Sequence, residues 1–179
     1  MSDNDILFEN RYVATKANVF EFHLAVTFRL KWVIVVGVIL LLSTIGNIVG
    51  MLFGDNKEAV GRIITNAVYV VIFVGVLLLQ NRRNVKEYFE REHELNHGQI
   101  RENVIRVGNG FVVINELTGG TYHVDFSQII RCIETKHLII LVTKAKNYLT
   151  FRKDAFLTGT FEEFKNFLIK TYPLLKIKK

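Results

Sequence analysis

Residues 33–53 read VIVVGVILLLSTIGNIVGMLF and contain no charged side chain. At about 1.5 Å per helical residue, this stretch is as long as the hydrocarbon core of a bilayer is thick. A second uncharged run, residues 63–80, reads IITNAVYVVIFVGVLLLQ and also has a spanning length. The polar segment between the runs is short, so we predict an antiparallel hairpin of two transmembrane helices. A buried core helix is the alternative for the second run.

The composition agrees with a chain divided into apolar and polar parts. Half of the 179 residues are apolar and the mean hydropathy is +0.24, yet 22% are charged. One proline and one cysteine exclude a collagen-like fibre and a disulfide scaffold. Cys132 alone allows no intramolecular disulfide and no four-cysteine metal site.

Cations at the ends of the spans predict the orientation of the hairpin. Five cations lie outside the two spans, namely Arg29, Lys31, Arg82, Arg83 and Lys86. Two lie between the spans, Lys57 and Arg62. Because cytosolic flanks carry the excess of Lys and Arg, we expect a multi-pass protein of the cell membrane with both termini in the cytosol. We expect no cleaved signal peptide, since no short apolar stretch leads to a small-residue cleavage site before the first span.

Small and polar residues inside the spans predict helix packing. Gly46, Gly50 and Gly54 recur every four residues, so they share one helix face that meets the second span or a partner helix. Asn47 and Asn66 lie toward the outer ends of the spans, and we expect them to hydrogen-bond across the hairpin. A polar ion path is the weaker alternative, because neither span carries a charged or histidine side chain.

Residues 81–98 predict a polar stalk helix that continues from the second span and ends at Gly98. This segment includes His93-Glu94-Leu95-Asn96-His97, which matches H-E-x-x-H. On a helix that motif places two imidazoles one turn apart for zinc, with the glutamate as general base. The charged surroundings and the glycine directly after His97 favour a solvated stalk instead. We therefore expect no metal, no cofactor and no catalytic residue, with a zinc peptidase as the alternative.

From residue 99 onward the periodicity changes from helical to alternating. Six β-rich runs follow, most of them separated by turn residues, at 100–107, 111–115, 121–126, 129–134, 138–143 and 148–152. Thr160 and Glu163 then form a capping-box pattern ahead of an amphipathic helix that Pro173 ends. An antiparallel meander or barrel capped by a C-terminal helix predicts a pleckstrin-homology-like (PH-like) α+β domain.

The N-terminal arm, residues 1–31, predicts an extended stretch around Leu7–Val13 and an aromatic helix running to the membrane. Since both arms face the cytosol, we expect the extended stretch to add a strand to the C-terminal sheet and so clamp the hairpin from both ends. The four predicted parts are the arm, the hairpin at 32–80, the stalk at 81–98 and the PH-like domain at 99–179.

The net charge of +6 falls within residues 82–179, where seventeen Lys or Arg face eleven Asp or Glu. We expect diffuse contact of this segment with anionic headgroups, ordinary solubility being the alternative. The candidate contact residues are Lys144, Lys146, Arg152, Lys153, Lys176, Lys178 and Lys179. The cations form no clustered stripe, so we do not expect nucleic-acid binding.

The chain resembles the YcxB-like family of small two-span membrane proteins with a PH-like C-terminal domain. The resemblance rests on the twin spans and on three short segments, Ile133–Lys136, Arg152–Phe156 and Phe161–Phe164. It implies the fold and the topology, and no catalytic residue.

We therefore expect a non-enzymatic membrane protein that presents an interaction domain at the inner face of the membrane. The expected partners are the lipid bilayer and a protein, or a second copy, held through the glycine face or the PH-like domain. An accessory or immunity-type subunit acting through its hairpin is a further alternative.

Overall fold

The computed structural model describes residues 6–27, 31–53, 57–108, 110–115, 121–172 and 177–178. It divides into two compact units, one formed by residues 23–86 and the other by residues 1–22 together with 87–179. The first is helical, and the second contains all the described strands. The strand-containing unit, called the soluble unit below, therefore takes its residues from both sides of the two apolar runs in sequence.

Two long apolar helices form most of the helical unit. They are α2 (Lys31–Phe53) and α3 (Lys57–Leu95), of which α3 continues beyond this unit. Helix α1 (Lys16–Thr27) precedes them and lies mostly in the other unit. Only 6% of the most apolar window of either long helix is buried within the protein. A core helix of a soluble protein buries its apolar surface, so the core-helix alternative does not fit, and both helices have the length and composition to cross a membrane.

Within the described residues, the soluble unit contains nine strands and a terminal helix, together with the parts of α1 and α3 that lie in residues 1–22 and 87–179. The first three are β1 (Phe8–Val13), β2 (Glu102–Val107) and β3 (Phe111–Asn115). They are followed by β4 (Thr121–Val124), β5 (Ile129–Glu134) and β6 (Leu138–Thr143). The last are β7 (Tyr148–Arg152), β8 (Phe156–Thr158), α4 (Phe161–Thr171) and β9 (Ile177–Lys178). A C-terminal β-sheet region with a terminal helix is thus confirmed.

The strands form two sheets, where the sequence predicted an antiparallel meander or barrel. The first has the order β4-β3-β2-β1-β8 and the second β7-β6-β5-β9. The chain leaves the first sheet at Asp125, whose carboxylate accepts a hydrogen bond from the Ser127 backbone and begins a short 3-10 turn at Phe126. The strand predicted to run to Phe126 consequently ends at Val124. Strands β8 and β9 were not predicted.

The arm strand β1 lies inside the first sheet. It pairs antiparallel with β2 along all six residues, from Phe8 opposite Val107 to Val13 opposite Glu102, and with β8 on its other side. The predicted addition of a strand from the arm is therefore seen, at an interior position. Without β1 the sheet would be divided between β2 and β8.

Aromatic and aliphatic side chains fill the core between the sheets and α4. Phe8 from β1 packs edge-on against Phe164 of α4, with ring centroids 5.4 Å apart. The capping box predicted at the start of α4 is present, since Thr160 and Glu163 bond each other's backbone N–H groups. The core members are Phe8, Ile105, Val107, Phe111, Phe126, Cys132, Ile139, Leu141, Leu149, Phe151, Phe164 and Leu168.

Candidate functional site

Side chains of β1 cover the outer edge of β7, the edge strand of the second sheet. Asn10, fully buried, donates from Nδ2 to the Arg152 carbonyl at 2.7 Å and accepts from the Arg152 N–H at 3.1 Å. The Tyr12 hydroxyl donates to the Thr150 carbonyl at 2.8 Å. Asn10 and Tyr12 thus bond the backbone of β7 where a neighbouring strand would otherwise do so. We call these contacts the seam, because they join the two sheets.

Tyr12 remains protonated in this position. Burial is the main cause that raises the pKa of its hydroxyl well above the ordinary value, and the nearby Tyr88 adds to the effect. A neutral hydroxyl can donate to Thr150, which an ionised one cannot. The sequence indicated Tyr12 only as part of an extended stretch, and it did not single out Asn10. One feature of the sequence could have indicated Asn10. It is a polar residue between Phe8 and Tyr12, at alternate positions of a strand where apolar side chains are expected.

The predicted contact cations whose side chains the structure describes lie near the two ends of strand β7. Lys144 and Lys146 are exposed in the turn between β6 and β7. Arg152 is the last residue of β7 and Lys153 comes directly after it, so both lie at the opposite end of the strand. The register shows this, since Tyr148 pairs with Val142 and Arg152 pairs with Leu138. The two ends of β7 are four residue steps apart, about 13 Å at the usual rise.

Arg152 and Lys153 are also held by carboxylates of the soluble unit. Arg152 forms a two-pronged ion pair with Asp154, its Nε lying 2.8 Å from one carboxylate oxygen. Lys153 Nζ lies 2.9 Å from Glu134 and 4.7 Å from the centre of the Phe161 ring. These ion pairs give both residues a structural role, and their contact with headgroups stays a prediction. Lys176 and Lys179 lie outside the described residues, and only the backbone of Lys178 is described, in β9.

Glu134 joins three elements of the soluble unit. Its carboxylate at the end of β5 also lies 2.9 Å from Lys165 of α4. Burial alone would raise its pKa, but hydrogen bonds and charge from Lys153 and Lys165 hold the pKa below the ordinary value. The same interaction with Glu134 raises the pKa of Lys165. One carboxylate shared by two ammonium groups thus fixes α4 against the sheet.

The charge is distributed unevenly between the two units. Residues 1–22 and 87–179 contain sixteen Lys or Arg and fifteen Asp or Glu. Residues 23–86 contain seven and two. The folded soluble unit therefore carries a net charge of +1 and the helical unit +5, so most of the excess positive charge flanks the apolar helices.

Within the helical unit, we predicted a hydrogen bond between Asn47 and Asn66, and the structure has Asn66 bonded one helical turn away. Asn66 Nδ2 donates to the Ser43 hydroxyl at 2.9 Å, rather than to Asn47. Ser43 and Asn47 are four residues apart, so they lie on the same helix face. The prediction identified Asn66 and the helix face but not its partner.

The glycine face is open in the single chain. A Cβ atom built at Gly46 or Gly50 would meet no atom within 4 Å. These glycines therefore do not pack against the second span, which was the first of the two predicted arrangements. A partner helix remains the prediction for them, and Gly54 lies outside the described residues.

The H-E-x-x-H segment does not form the helical zinc-binding geometry. Helix α3 ends at Leu95, and His97 adopts a left-handed φ of 49°. Gly98, with φ of 89°, donates its N–H to the His93 carbonyl at 2.9 Å and ends the helix. The two imidazoles consequently do not lie one helical turn apart. Within the described ranges, no three His, Cys, Asp or Glu side chains come together as a metal site.

The predicted stalk is partly a component of the soluble unit, which includes α3 from Glu87 onward. Glu92 is 9% exposed, accepts a hydrogen bond from the Asn96 side chain at 3.0 Å, and lies 3.8 Å from Arg101. The last turns of α3 are therefore attached to the segment that leads into β2.

One comparison with known proteins gives a match. Residues 108–168 match the YcxB-like protein family. The resemblance drawn from the sequence is thereby confirmed for this segment, which runs from the turn before β3 into α4. Searches of the curated proteins and of the solved structures find no match. The matched segment contains Arg152 and Thr150, the backbone acceptors of the seam, but neither Asn10 nor Tyr12.

Proposed function

We propose that the protein crosses the membrane twice and holds an interaction domain of PH-like fold at the cytosolic face, without enzymatic activity. The pairing of β1 with both β2 and β8 carries the proposal. Residues before the first apolar helix and after the second belong to one folded unit, so both must lie on the same side of the membrane. The two flanks lie on the same side only if the chain crosses the membrane an even number of times. The two apolar helices give two crossings.

The charges flanking the helices support a cytosolic position for that unit. Arg82, Arg83 and Lys86 follow the second apolar run, and Arg29 and Lys31 precede the first. Only Lys57 and Arg62 lie in the connecting region. Positive flanks remain on the cytosolic side during insertion. The excess charge of the helical unit then serves orientation, and the nearly neutral soluble unit is left for protein contact.

The PH-like assignment is supported by the two sheets packed with one C-terminal helix, and by the match of residues 108–168 to the YcxB-like family. Folds of this type bind through grooves and free strand edges. A fold supports an interaction role only by analogy, so the proposed partner is a protein surface rather than a particular ligand.

Substituted-cysteine labelling in intact cells tests the proposal. Ala17 and Ala145 are exposed positions on the two sides of the hairpin in sequence, and Asp55 lies between the apolar helices. We expect an impermeant thiol reagent to label Asp55→Cys and to leave Ala17→Cys and Ala145→Cys unlabelled until the cells are opened. Cys132 is fully buried and gives a low background. Labelling of Ala17→Cys or Ala145→Cys from outside would contradict the proposal.

A second candidate function is an accessory or immunity-type subunit that acts through its hairpin. The open positions at Gly46 and Gly50 favour it, because close helix approach needs such positions. Site-specific crosslinking from Ser43 and Gly50 captures a membrane protein under this alternative. Under the main proposal the captured protein is crosslinked from the soluble unit instead.

A further inference from the structure

Strand β1 joins parts of the soluble unit that come from the far side of the hairpin in sequence. It pairs with all six residues of β2 on one side, and β8 is hydrogen-bonded to its other side. Phe8 also packs against two rings of α4, Phe164 and Phe167, at centroid distances of 5.4 and 5.5 Å. The arm thus occupies the gap between β2 and β8 and contacts the helix that covers the core.

The arm also supplies polar partners to the strands that follow the hairpin. Asn10 bonds both backbone groups of Arg152, and the Arg11 N–H donates to the Ala155 carbonyl at 3.0 Å. Without the arm, β8 loses the strand it pairs with, the outer edge of β7 loses these bonds, and the core loses an aromatic ring. Unpaired backbone groups and a divided sheet both oppose folding. Residues 87–179 therefore depend on the arm for a complete fold.

We infer that the soluble unit folds only after both apolar helices have crossed the membrane, so that β1 acts as a check on insertion of the hairpin. A chain with a single crossing has its arm on one side of the membrane and residues 87–179 on the other. In that chain β1 cannot reach the gap between β2 and β8. This coupling rests on the proposed two-span topology and adds a conformational device to it.

The consequence of incomplete insertion follows from the burial of the core. Phe111, Phe151 and Leu168 are fully buried in the completed unit. A chain that lacks β1 on the correct side exposes apolar surface and unpaired strand edges, which promote aggregation and proteolysis. The interaction domain is consequently formed only on chains whose hairpin is correctly inserted.

Labelling of Cys132 with a membrane-permeant thiol reagent in intact cells tests this coupling. Cys132 is the one cysteine of the sequence and is fully buried, so it reacts fast only when the soluble unit is not folded. The test variant lacks residues 63–80 and therefore keeps one apolar run. We expect its Cys132 to react at least tenfold faster than Cys132 of the native chain.

Two further chains separate the number of crossings from other effects of the deletion. In the first, an unrelated apolar run of the same length replaces residues 63–80, and Cys132 should stay as protected as in the native chain. In the second, a flexible Gly-Ser linker joins a second copy of residues 6–15 to the C-terminus of the single-run variant. That copy lies on the same side as residues 87–179 and should restore protection, whereas a copy with Phe8→Asp should not.

Three results overturn the inference. They are a protected Cys132 in the single-run variant, a fast reaction in the chain with the unrelated run, and a fast reaction in the chain with the appended native arm. If the single-run variant is degraded before labelling, the amount of chain is the readout. That amount should then recover with the appended native arm and stay low with the Phe8→Asp copy, and any other pattern overturns the inference.

Labelling of Ala17→Cys and Ala145→Cys with the impermeant reagent separates the two proposals. Normal sidedness of these positions together with any of the three results overturns the insertion check and leaves the proposed function intact. Labelling of either position from outside in the two-span chain contradicts the proposed function itself.

Discussion

The Asn10 side chain forms two hydrogen bonds with the backbone of Arg152, 142 residues away in sequence. Nδ2 donates to the Arg152 carbonyl and Oδ1 accepts from its N–H, so one amide group occupies the place of a neighbouring strand. Arg152 lies within the family-matched segment and Asn10 in the N-terminal arm. The soluble unit is therefore completed by residues that the chain makes before its first apolar helix.

Asn10→Ala should lower the free energy of unfolding of the soluble unit by about 2–4 kcal/mol. The substitution leaves the part-buried N–H and carbonyl of Arg152 without the Asn10 partner. Each such group costs about 1–3 kcal/mol when fully buried, so the lower part of the summed range applies. Urea unfolding followed by circular dichroism measures the change. Asn147→Ala is the matched control, because the Asn147 side chain is exposed in the β6–β7 turn. Equal effects of the two variants would show that the seam contributes nothing.

Gly159→Ala should destabilise the same unit by at least about 2 kcal/mol. Gly159 has φ of 72°, and a Cβ there would lie 2.5 Å from Cδ1 of the Phe8 ring. Both the left-handed backbone and the contact with β1 disfavour a side chain. Gly75→Ala in α3 is the control, since its Cβ meets nothing within 4 Å. A loss confined to Gly159→Ala, measured by thermal unfolding, is the expected result.

Glu134→Gln should remove part of the pH dependence of stability. The pKa of Glu134 is lower in the folded protein than its ordinary value of about 4.3. Its contribution is complete above that ordinary value and is lost as the pH falls through the lower folded pKa. Glu134→Gln should therefore be less stable than the native chain near neutral pH and should lose less stability on acidification. Comparing unfolding midpoints from pH 7 to pH 3 measures this difference.

Glu94→Gln is the control for that titration. Glu94 is exposed near the end of α3 and is not one of the groups that contact Glu134. The control should reproduce the acid loss of the native chain. A Glu134→Gln profile parallel to the native one would show that Lys153 and Lys165 do not act through this carboxylate.

Asn66→Ala and Ser43→Ala should each destabilise the hairpin, by about 0.6–2 kcal/mol, the usual range for hydrogen bonds between membrane helices. Because both remove the same bond, the double variant should cost less than the sum of the single ones. Asn47→Ala should have a smaller effect, since Asn66 bonds Ser43 instead. Thermal unfolding of the four chains in bicelles gives this double-mutant cycle. Losses of stability that simply add would contradict the hydrogen bond between Asn66 and Ser43.

Local patterns predicted much of the fold, because each depended on neighbouring residues. The capping box at Thr160 and Glu163 and the helix end at Gly98 are properties of a few adjacent positions. Strands such as Leu138–Thr143 followed from β-rich runs between turn residues. The twin apolar helices required only length and the absence of charge.

Long-range geometry accounts for what the sequence did not predict. Nothing near Asn10 indicates that its partner is Arg152, since the pairing depends on the position of β1 between β2 and β8. Lys153 was predicted as a surface cation because its partner Glu134, 19 residues earlier in the chain, is brought to it only by the fold. Strand β9 has two residues, too few for a periodic signal.

An engineered disulfide between β1 and β2 tests the central claim most directly. Val13 lies directly opposite Glu102 in the antiparallel register and is 45% exposed. In native membranes, Val13→Cys with Glu102→Cys should form a disulfide within one chain under mild oxidation, whereas Val13→Cys with Lys146→Cys should not. Absence of the first crosslink, or its formation only between two chains, would contradict the folding of the arm and the C-terminal segment into one unit.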